Sequence, residues 1–171
     1  MKHISIASML VVCCSFIILN EKTFFAFNIY QVNEKGTPKA PLEKAQATLT
    51  AAKGSKTASS VYEIQGGKST RRIMAIEALF RTTSDNISAK TDPATVIQLY
   101  KLATSKTKRS FSLTPDIKVP SFLIPLSFQP EDFLNFKILL QSFLAPGEYA
   151  FIDRTTASSD GSVTVFTFGI D

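Results

Sequence analysis

The stretches EYAFI (148–152) and VTVFTF (163–168) decide the expected fold, because both are short runs of β-branched and aromatic residues. The intervening residues 158–161, Ser-Ser-Asp-Gly, have turn-forming composition, so the two runs predict an antiparallel hairpin. A register with Phe151 opposite Phe166 would align the aromatic residues of both strands in a ladder. Because both faces of each run are apolar, we expect the hairpin in the middle of a sheet and the end of the chain in the core.

Alternation of apolar and polar residues predicts further strands upstream. Residues 109–113 (RSFSL) alternate cleanly, as a strand with one solvent-facing side does, and the polar turn 104–107 separates them from 97–102 (IQLYKL). We therefore expect these two stretches to pair as a hairpin. The Asp92-Pro93 pair predicts one tight turn over 92–95 before that strand, although an amphipathic helix would also fit.

Prolines limit what the next stretch can form. Residues 121–128 are apolar, but Pro120, Pro125 and Pro130 lie in or beside them. Each proline removes a backbone donor, so we expect an edge strand or irregular extended structure there. Residues 133–142 fit either a strand or a short helix, and the sequence leaves both open.

The run Gly67-Lys68-Ser69 matches the last three positions of a phosphate-binding loop. That loop also needs a glycine at the position held here by Tyr62, and it should follow a buried apolar strand rather than the polar stretch present here. Two adjacent glycines suit a tight hairpin instead. We therefore expect residues 61–64 to pair with 69–76 across Gly66-Gly67.

The composition changes along the chain, and these changes predict three successive segments. Residues 1–26 resemble a signal peptide, since a short basic start precedes an apolar run from Ile4 to Leu19 that is shorter than the ~20 residues of a transmembrane helix. An uncleaved N-terminal membrane anchor is the alternative. Residues 27–60 are expected to form a flexible lead-in, because they are rich in small and polar residues. Residues 61–171 are expected to form one β-rich domain.

These patterns together predict a mainly β fold, a single antiparallel β-sandwich-like domain with an N-terminal signal helix and a flexible lead. The only histidine is His3 and the only cysteines are Cys13 and Cys14, all within the predicted leader. The remainder of the chain therefore excludes serine–histidine triads, thiol nucleophiles, zinc centres with nitrogen or sulfur ligands, and disulfides. We expect no catalytic residues, no metal and no cofactor.

Carboxylates are the remaining candidates for chemistry. Glu148 and Asp153 lie five positions apart on one predicted strand, which places them on opposite faces and rules them out as a glycosidase pair. A carboxylate-dependent enzyme acting on glycans stays as the alternative function, with Glu131, Asp132, Glu148 and Asp153 as the residues whose substitution would test it.

Basic residues cluster on the predicted hairpins, and the chain carries a net charge of +5. They form a candidate binding patch for an acidic glycan, a lipid headgroup or an envelope protein. The alternative is that they only keep strand edges soluble. A nucleic-acid partner is not expected, because few aromatic side chains are interleaved with them. The candidate patch residues are Lys68, Arg71, Arg72, Lys106, Lys108 and Arg109.

The turn Pro-Gly-Glu-Tyr-Ala-Phe (146–151) and the terminal Phe-Gly-Ile-Asp (168–171) resemble those of a group of exported bacterial proteins whose molecular function is unassigned. The resemblance extends over roughly residues 60–171. It implies secretion and a mostly β domain, and it brings no catalytic residues. We therefore expect an exported, non-catalytic β domain of the cell surface or envelope, with an interaction or structural role.

Overall fold

A computed structural model describes residues 27–51, 60–84, 91–113 and 121–171. The predicted signal peptide or anchor, residues 1–26, lies outside these ranges. The described chain is mainly β, with 58% strand and 8% helix in antiparallel sheets, so the predicted fold class is confirmed at this level. Within the described ranges, no helix has the length and hydrophobicity needed to cross a membrane.

The described chain forms a series of strands joined by short turns. A one-turn helix, α1 (Pro93–Val96), and two 3-10 turns, Ala75–Glu77 and Arg154–Thr156, interrupt them. The strands, in chain order, are β1 (Phe27–Val32), β2 (Pro38–Pro41), β3 (Glu43–Ala51), β4 (Ser60–Gln65), β5 (Arg72–Ile73), β6 (Phe80–Ser84), β7 (Ile97–Lys101), β8 (Ala103–Thr104), β9 (Lys108–Ser112), β10 (Phe122–Ile124), β11 (Leu126–Pro130), β12 (Asn135–Leu140), β13 (Gly147–Asp153) and β14 (Val163–Ile170).

The strands form two sheets. The small sheet has the order β11-β12-β6-β1-β2, and the large sheet has the order β10-β7-β13-β14-β3-β4-β9-β8, with β5 added in parallel beside β14. Only Leu102 separates β7 from β8, although the two strands lie far apart in the order of the large sheet. The large sheet therefore curves back on itself as a half-barrel.

The core has two parts, which lie on opposite faces of β13 and β14. Odd-numbered residues of β13, such as Tyr149 and Phe151, pack between the sheets, where the Phe80 ring meets that of Phe151 at 5.0 Å. Even-numbered residues, such as Ala150, face the inside of the half-barrel together with Phe111. This division follows from the two-residue period of a strand.

The C-terminal hairpin has the predicted register. Phe151 lies opposite Phe166, and Tyr149 lies opposite Phe168 with its ring stacked at 5.5 Å. Strand β14 lies between β13 and β3, so the mid-sheet position is confirmed. The chain is buried as far as Ile170, whereas Asp171 is exposed.

The predicted turn before β7 is confirmed. The Asp92 carboxylate accepts a hydrogen bond of 2.9 Å from the Ala94 N–H, Pro93 occupies the first helical position, and the chain is extended again from Ile97. The polar turn predicted next is present, but the predicted pairing of residues 97–102 with 109–113 is wrong, because β9 pairs with β4 and with the short strand β8, Ala103 opposite Ser110. Strand β7 pairs instead with β13 and β10.

The proline-rich stretch supplies edge strands, as predicted. Strand β10 lies at an edge of the large sheet, and β11 lies at an edge of the small sheet. The alternative left open for residues 133–142 is resolved in favour of a strand, β12, which pairs with β11 and β6.

Two further predictions are wrong. Residues 61–64 do not pair with 69–76 across the adjacent glycines, because β4 pairs with β3 and β9. The flexible lead is wrong for residues 27–51, which form β1, β2 and β3. Ala47 is fully buried inside the half-barrel, so the small residues of β3 fit a narrow interior and are not a sign of disorder.

Candidate functional site

Polar side chains gather at one end of the half-barrel interior. They come from β3, β5, β9, β13 and β14 and from the loop after β4, and the apolar residues of the barrel interior lie next to them. Their positions follow from alternation: Arg109 shares a strand face with Phe111, and Glu148 shares one with Ala150. We call these residues the mouth cluster: Glu43, Ser69, Arg72, Arg109, Glu148 and Thr167.

Arg109 is the most deeply buried member of the mouth cluster, with none of its side chain exposed. Its Nε donates to the carbonyl of Gly66 at 3.0 Å, and its Nη2 donates to Gln65 and to Glu43, both at 3.3 Å. Its Nη1 makes no hydrogen bond within the described residues and lies 3.8 Å from Glu148 Oε2. A buried charge requires such partners, so Arg109 holds the loop and both carboxylates together.

Glu148 is enclosed by donors, with 6% of its side chain exposed. Ser69 donates its backbone N–H to Oε2 at 2.7 Å, and Arg72 pairs with Oε1. Arg72 also binds Asp171, at 2.5 Å, across the edge of β14. This path requires Gly169, because a Cβ there would overlap the Arg72 guanidinium.

The Arg72 hydrogen bond holds the pKa of the Asp171 carboxyl below its ordinary value. The same bond from Asp171 raises the pKa of Arg72. Each group therefore favours the charged form of the other, and the two are paired at neutral pH.

The loop Gly67-Lys68-Ser69 does bind anionic groups, but those of the protein itself. Glu43 accepts from the Ser69 hydroxyl at 2.5 Å and from the Thr70 N–H at 2.8 Å. Burial alone would raise the pKa of Glu43, but these hydrogen bonds and the Arg109 charge outweigh it and lower the pKa. The loop also packs closely on the β8–β9 turn, since a Cβ on Gly67 would lie 2.7 Å from the carbonyl oxygen of Lys106.

A cleft of about 480 Å³ opens above the mouth cluster. Its two carboxylates, Glu148 and Asp171, are both paired with Arg72. Its two lysines are different: within the described residues, neither Lys68 nor Lys101 has an ion-pair partner within 4.0 Å. We call this the mouth cleft, and its lining residues are Gly67, Lys68, Arg72, Lys101, Leu102, Thr104, Pro146, Gly147, Glu148, Ile170 and Asp171.

The two lysines of the mouth cleft differ in burial and in their contacts. Lys68 is exposed on the loop after β4. Lys101 is half-buried at the end of β7, with its Nζ 5.9 Å from the centre of the Tyr149 ring. An aromatic face attracts a cation without neutralising it. Both ammonium charges therefore remain available to an acidic group that enters the cleft.

The six residues of the predicted basic patch do not share one surface. Arg109 lies in the interior, contrary to its place in the predicted patch, and Arg72 is engaged by Glu148 and Asp171. Lys68 lines the cleft, and the backbone of Lys106 lies beside that loop, next to Gly67.

The other two patch residues have partners outside the cleft. Lys108 pairs with Glu63, and Arg71 donates to Gln31.

The sequence predictions included neither Glu43 nor Lys101 as a site residue. No local pattern marks either of them, because their neighbours at the cleft come from distant parts of the chain.

The carboxylates considered as catalysts each support a local structure. Glu131 pairs with Arg81 at 2.5 Å. Asp132 accepts backbone N–H groups of the turn before β12, and these hydrogen bonds, with those of the Asn135 side chain first, lower its pKa. Asp153 is buried and accepts from the N–H of Phe27 at 2.9 Å.

These carboxylates do not converge. Asp153 lies on the face of Phe151 and Glu148 on the opposite face, so the predicted separation of the two is confirmed. Within the described ranges, no three residues of the types His, Cys, Asp and Glu are grouped as metal ligands.

Comparison with known proteins finds no family model, curated protein or solved structure that matches the chain. The resemblance of residues 60–171 to exported bacterial proteins therefore remains a prediction. The geometry and the charges of the mouth cleft are the observations that bear on function.

Proposed function

We propose that the protein is an exported, non-catalytic interaction domain of the cell surface or envelope that binds acidic groups in the mouth cleft. One observation carries the proposal: Lys68 and Lys101 line a cleft whose carboxylates are already paired with Arg72. An incoming carboxylate, sulfate or phosphate would meet two ammonium groups there without having to displace an internal anion.

The shape of the mouth cleft supports the same proposal. Its volume of about 480 Å³ is in the range of small-molecule sites and is large enough for a small acidic group such as a sugar acid or a headgroup. Thr104 lines it and is exposed, so its hydroxyl is available beside the two lysines. Lysine binds anions as a point charge without fixed directions, which suits a site open to solvent.

The hydrogen bonds of Glu148 and Glu43 support a binding role over a catalytic one. A general acid or base must reach its substrate and exchange a proton with it. Glu148 is nearly enclosed and bonded to Arg72 and Ser69, and Glu43 is bonded to Ser69, Thr70 and Arg109. The alternative, a carboxylate-dependent enzyme acting on glycans, gains no support from this arrangement.

The proposed location depends on the sequence. The apolar run from Ile4 to Leu19 has the length of a signal peptide, and the remainder of the chain lacks cysteine. Acidic glycans, lipid headgroups and envelope proteins are the acidic partners present outside the cytoplasm, and all three offer the charge that the mouth cleft would recognise.

Fluorescence anisotropy with a labelled tri-galacturonate, a soluble acidic trisaccharide, tests the proposal. Each lysine contributes about 1 kcal/mol at contact distance in water. We therefore expect the double variant Lys68→Gln/Lys101→Gln to bind at least tenfold more weakly, and added salt to weaken binding by the parent protein.

The control is Lys35→Gln, which removes one positive charge from the exposed turn between β1 and β2 and is also compared with each single variant, Lys68→Gln and Lys101→Gln. Equal losses in the control and the double variant would contradict the proposal, as would a parent protein that does not bind the probe. Cleavage of the probe by the parent protein, abolished by Glu148→Gln, would support the enzyme instead.

A further inference from the structure

An apolar groove adjoins the mouth cleft. It has a volume of about 370 Å³ and lies between the 3-10 turn Ala75–Glu77 and residues 137–144. Two of the most exposed large apolar side chains line it, Ile76 at 77% and Phe143 at 87%, and Met74 beside them is 57% exposed. We call Met74, Ile76, Leu139 and Phe143 the apolar rim.

The backbone that carries the apolar rim is firmly held. Leu144 is buried in the core, and the Tyr149 hydroxyl donates to the carbonyl of Ala145 at 2.7 Å. Ile73 and Ala78 are buried on either side of the 3-10 turn. The backbone at Phe143 and Ile76 is therefore anchored on both sides of the groove, and both side chains are exposed from it.

Scattered exposed apolar residues are normal on a protein surface, but a cluster around one groove indicates a binding surface. The rim and the mouth cleft also share two chain segments. Residues 72–76 run from the cleft into the 3-10 turn, and residues 143–148 run from the rim back to the cleft. The two features therefore form one continuous surface.

The charges of this continuous surface are mostly positive. Lys68 and Lys101 line the cleft, and Lys137 lines the groove and is exposed. Three of the nearby acidic residues are paired: Glu77 lies 3.1 Å from Lys39, and Glu148 and Asp171 are bound by Arg72. A fourth, Glu34, lines a cavity with Ile76 and is accompanied there by Lys35. Phe122, 61% exposed, lies opposite Lys101 in the register of β10 and β7 and extends the apolar part.

We infer that this surface docks on an anionic lipid bilayer. Phe143, Ile76 and Met74 enter the interfacial region, and the lysines contact the phosphate headgroups, as in proteins that combine apolar and basic anchors at a membrane surface. The inference rests on the proposed function and identifies the lipid as the source of the acidic group. A second copy of this chain suits the surface less well, because it would oppose the same lysines to each other.

Tryptophan fluorescence offers a local test, because the chain contains no tryptophan. The Phe143→Trp variant places the reporter on the apolar rim. The Phe133→Trp variant is the matched control, since Phe133 is 74% exposed in the turn before β12, about six residues or ~20 Å along that strand from Leu139. Vesicles are made of phosphatidylglycerol or of phosphatidylcholine, each with and without brominated acyl chains.

The emission of the Phe143→Trp variant should shift to the blue with phosphatidylglycerol vesicles and be quenched by brominated chains. The Phe133→Trp variant should show neither effect. Because the signal comes from one position, membrane binding through residues 1–26 would not imitate it. Lys137→Gln should weaken binding to these vesicles about fivefold, the factor expected for one basic residue at an anionic bilayer. Arg154→Gln removes one positive charge from an exposed residue at the opposite end of β13 from the mouth cleft, and it should not weaken binding.

Equal responses of the two tryptophan variants, or equal responses to the two lipids, would overturn the inference. If neither variant responds while tri-galacturonate still binds, the lipid assignment fails and the proposed function stands with a soluble acidic ligand. If neither lipid nor tri-galacturonate binds, both fail together.

Discussion

Replacing Arg109 with methionine tests whether the mouth cluster holds the half-barrel closed at that end. The substitution keeps an unbranched side chain but removes the donors to Gly66, Gln65 and Glu43. Removing one partner from a buried ion pair costs about 3–5 kcal/mol when the remaining charge is left unpaired. Glu148 and Glu43 keep Arg72, Ser69 and Thr70 as partners, so we expect the lower end of this range, about 3 kcal/mol. That is a large part of the roughly 5–15 kcal/mol by which a typical domain is stable.

Urea unfolding followed by circular dichroism measures the effect. With a slope of about 2 kcal/mol per molar urea, the Arg109→Met midpoint should fall by about 1.5 M. The control is Lys108→Met on the same strand, whose side chain is 45% exposed and pairs only with Glu63. A surface pair of this kind contributes ~0–1 kcal/mol. A midpoint for Arg109→Met equal to that of the control would refute the reasoning.

Three further changes should affect stability. Gly67→Ala should cost about 1–3 kcal/mol in urea unfolding, because its Cβ would overlap the carbonyl oxygens of the β8–β9 turn. Phe168→Ala should cost about 3–5 kcal/mol, and an unchanged melting temperature would contradict the mid-sheet placement of β14. Glu43 has a lowered pKa in the folded state, so its contribution is complete above its ordinary pKa of 4.5 and is lost as the pH falls below that value. The urea midpoint should therefore fall less steeply on acidification in Glu43→Gln than in the parent protein, and identical slopes would count against the loop contacts.

The elements that the sequence predicts best are those whose causes are local. The aromatic residues of the C-terminal hairpin fix its register through direct cross-strand pairs. The turn before β7 needs only the carboxylate of Asp92 and the fixed φ of Pro93. In both cases the partners lie within a short stretch of chain, so composition and spacing are sufficient.

The sequence contains evidence that Arg109 is buried, but the charge of the side chain argues against burial. Arg109 alternates with Phe111, so the strand period places it on the buried face, while its charge favours the surface. Its burial depends on Glu43 and Glu148, which are distant in sequence. A basic residue that shares a strand face with buried aromatic residues therefore indicates an internal ion pair. The condition is that carboxylates elsewhere in the chain also share a strand face with core residues.

The predictions that fail depend on partners far along the chain. The adjacent glycines suit a tight turn, but β4 finds more favourable neighbours in β3 and β9. Residues 27–51 look polar because their apolar side chains are few and small, and Ala47 is buried only once the half-barrel is assembled. Lys101 likewise reaches the mouth cleft only through the pairing of β7 with β13, and Lys68 only because the neighbouring Ser69 donates to Glu148.

A titration of isotope-labelled protein with tri-galacturonate, followed by amide chemical shifts, tests the central claim most directly. The account predicts that the largest shifts occur at backbone amides lining the mouth cleft, those of Gly67, Lys68, Lys101, Thr104 and Gly147. The amide of Lys35, in the turn between β1 and β2, should not shift. Shifts centred elsewhere on the molecule, or no shifts at saturating probe, would contradict the assignment of the mouth cleft as a binding site for acidic groups.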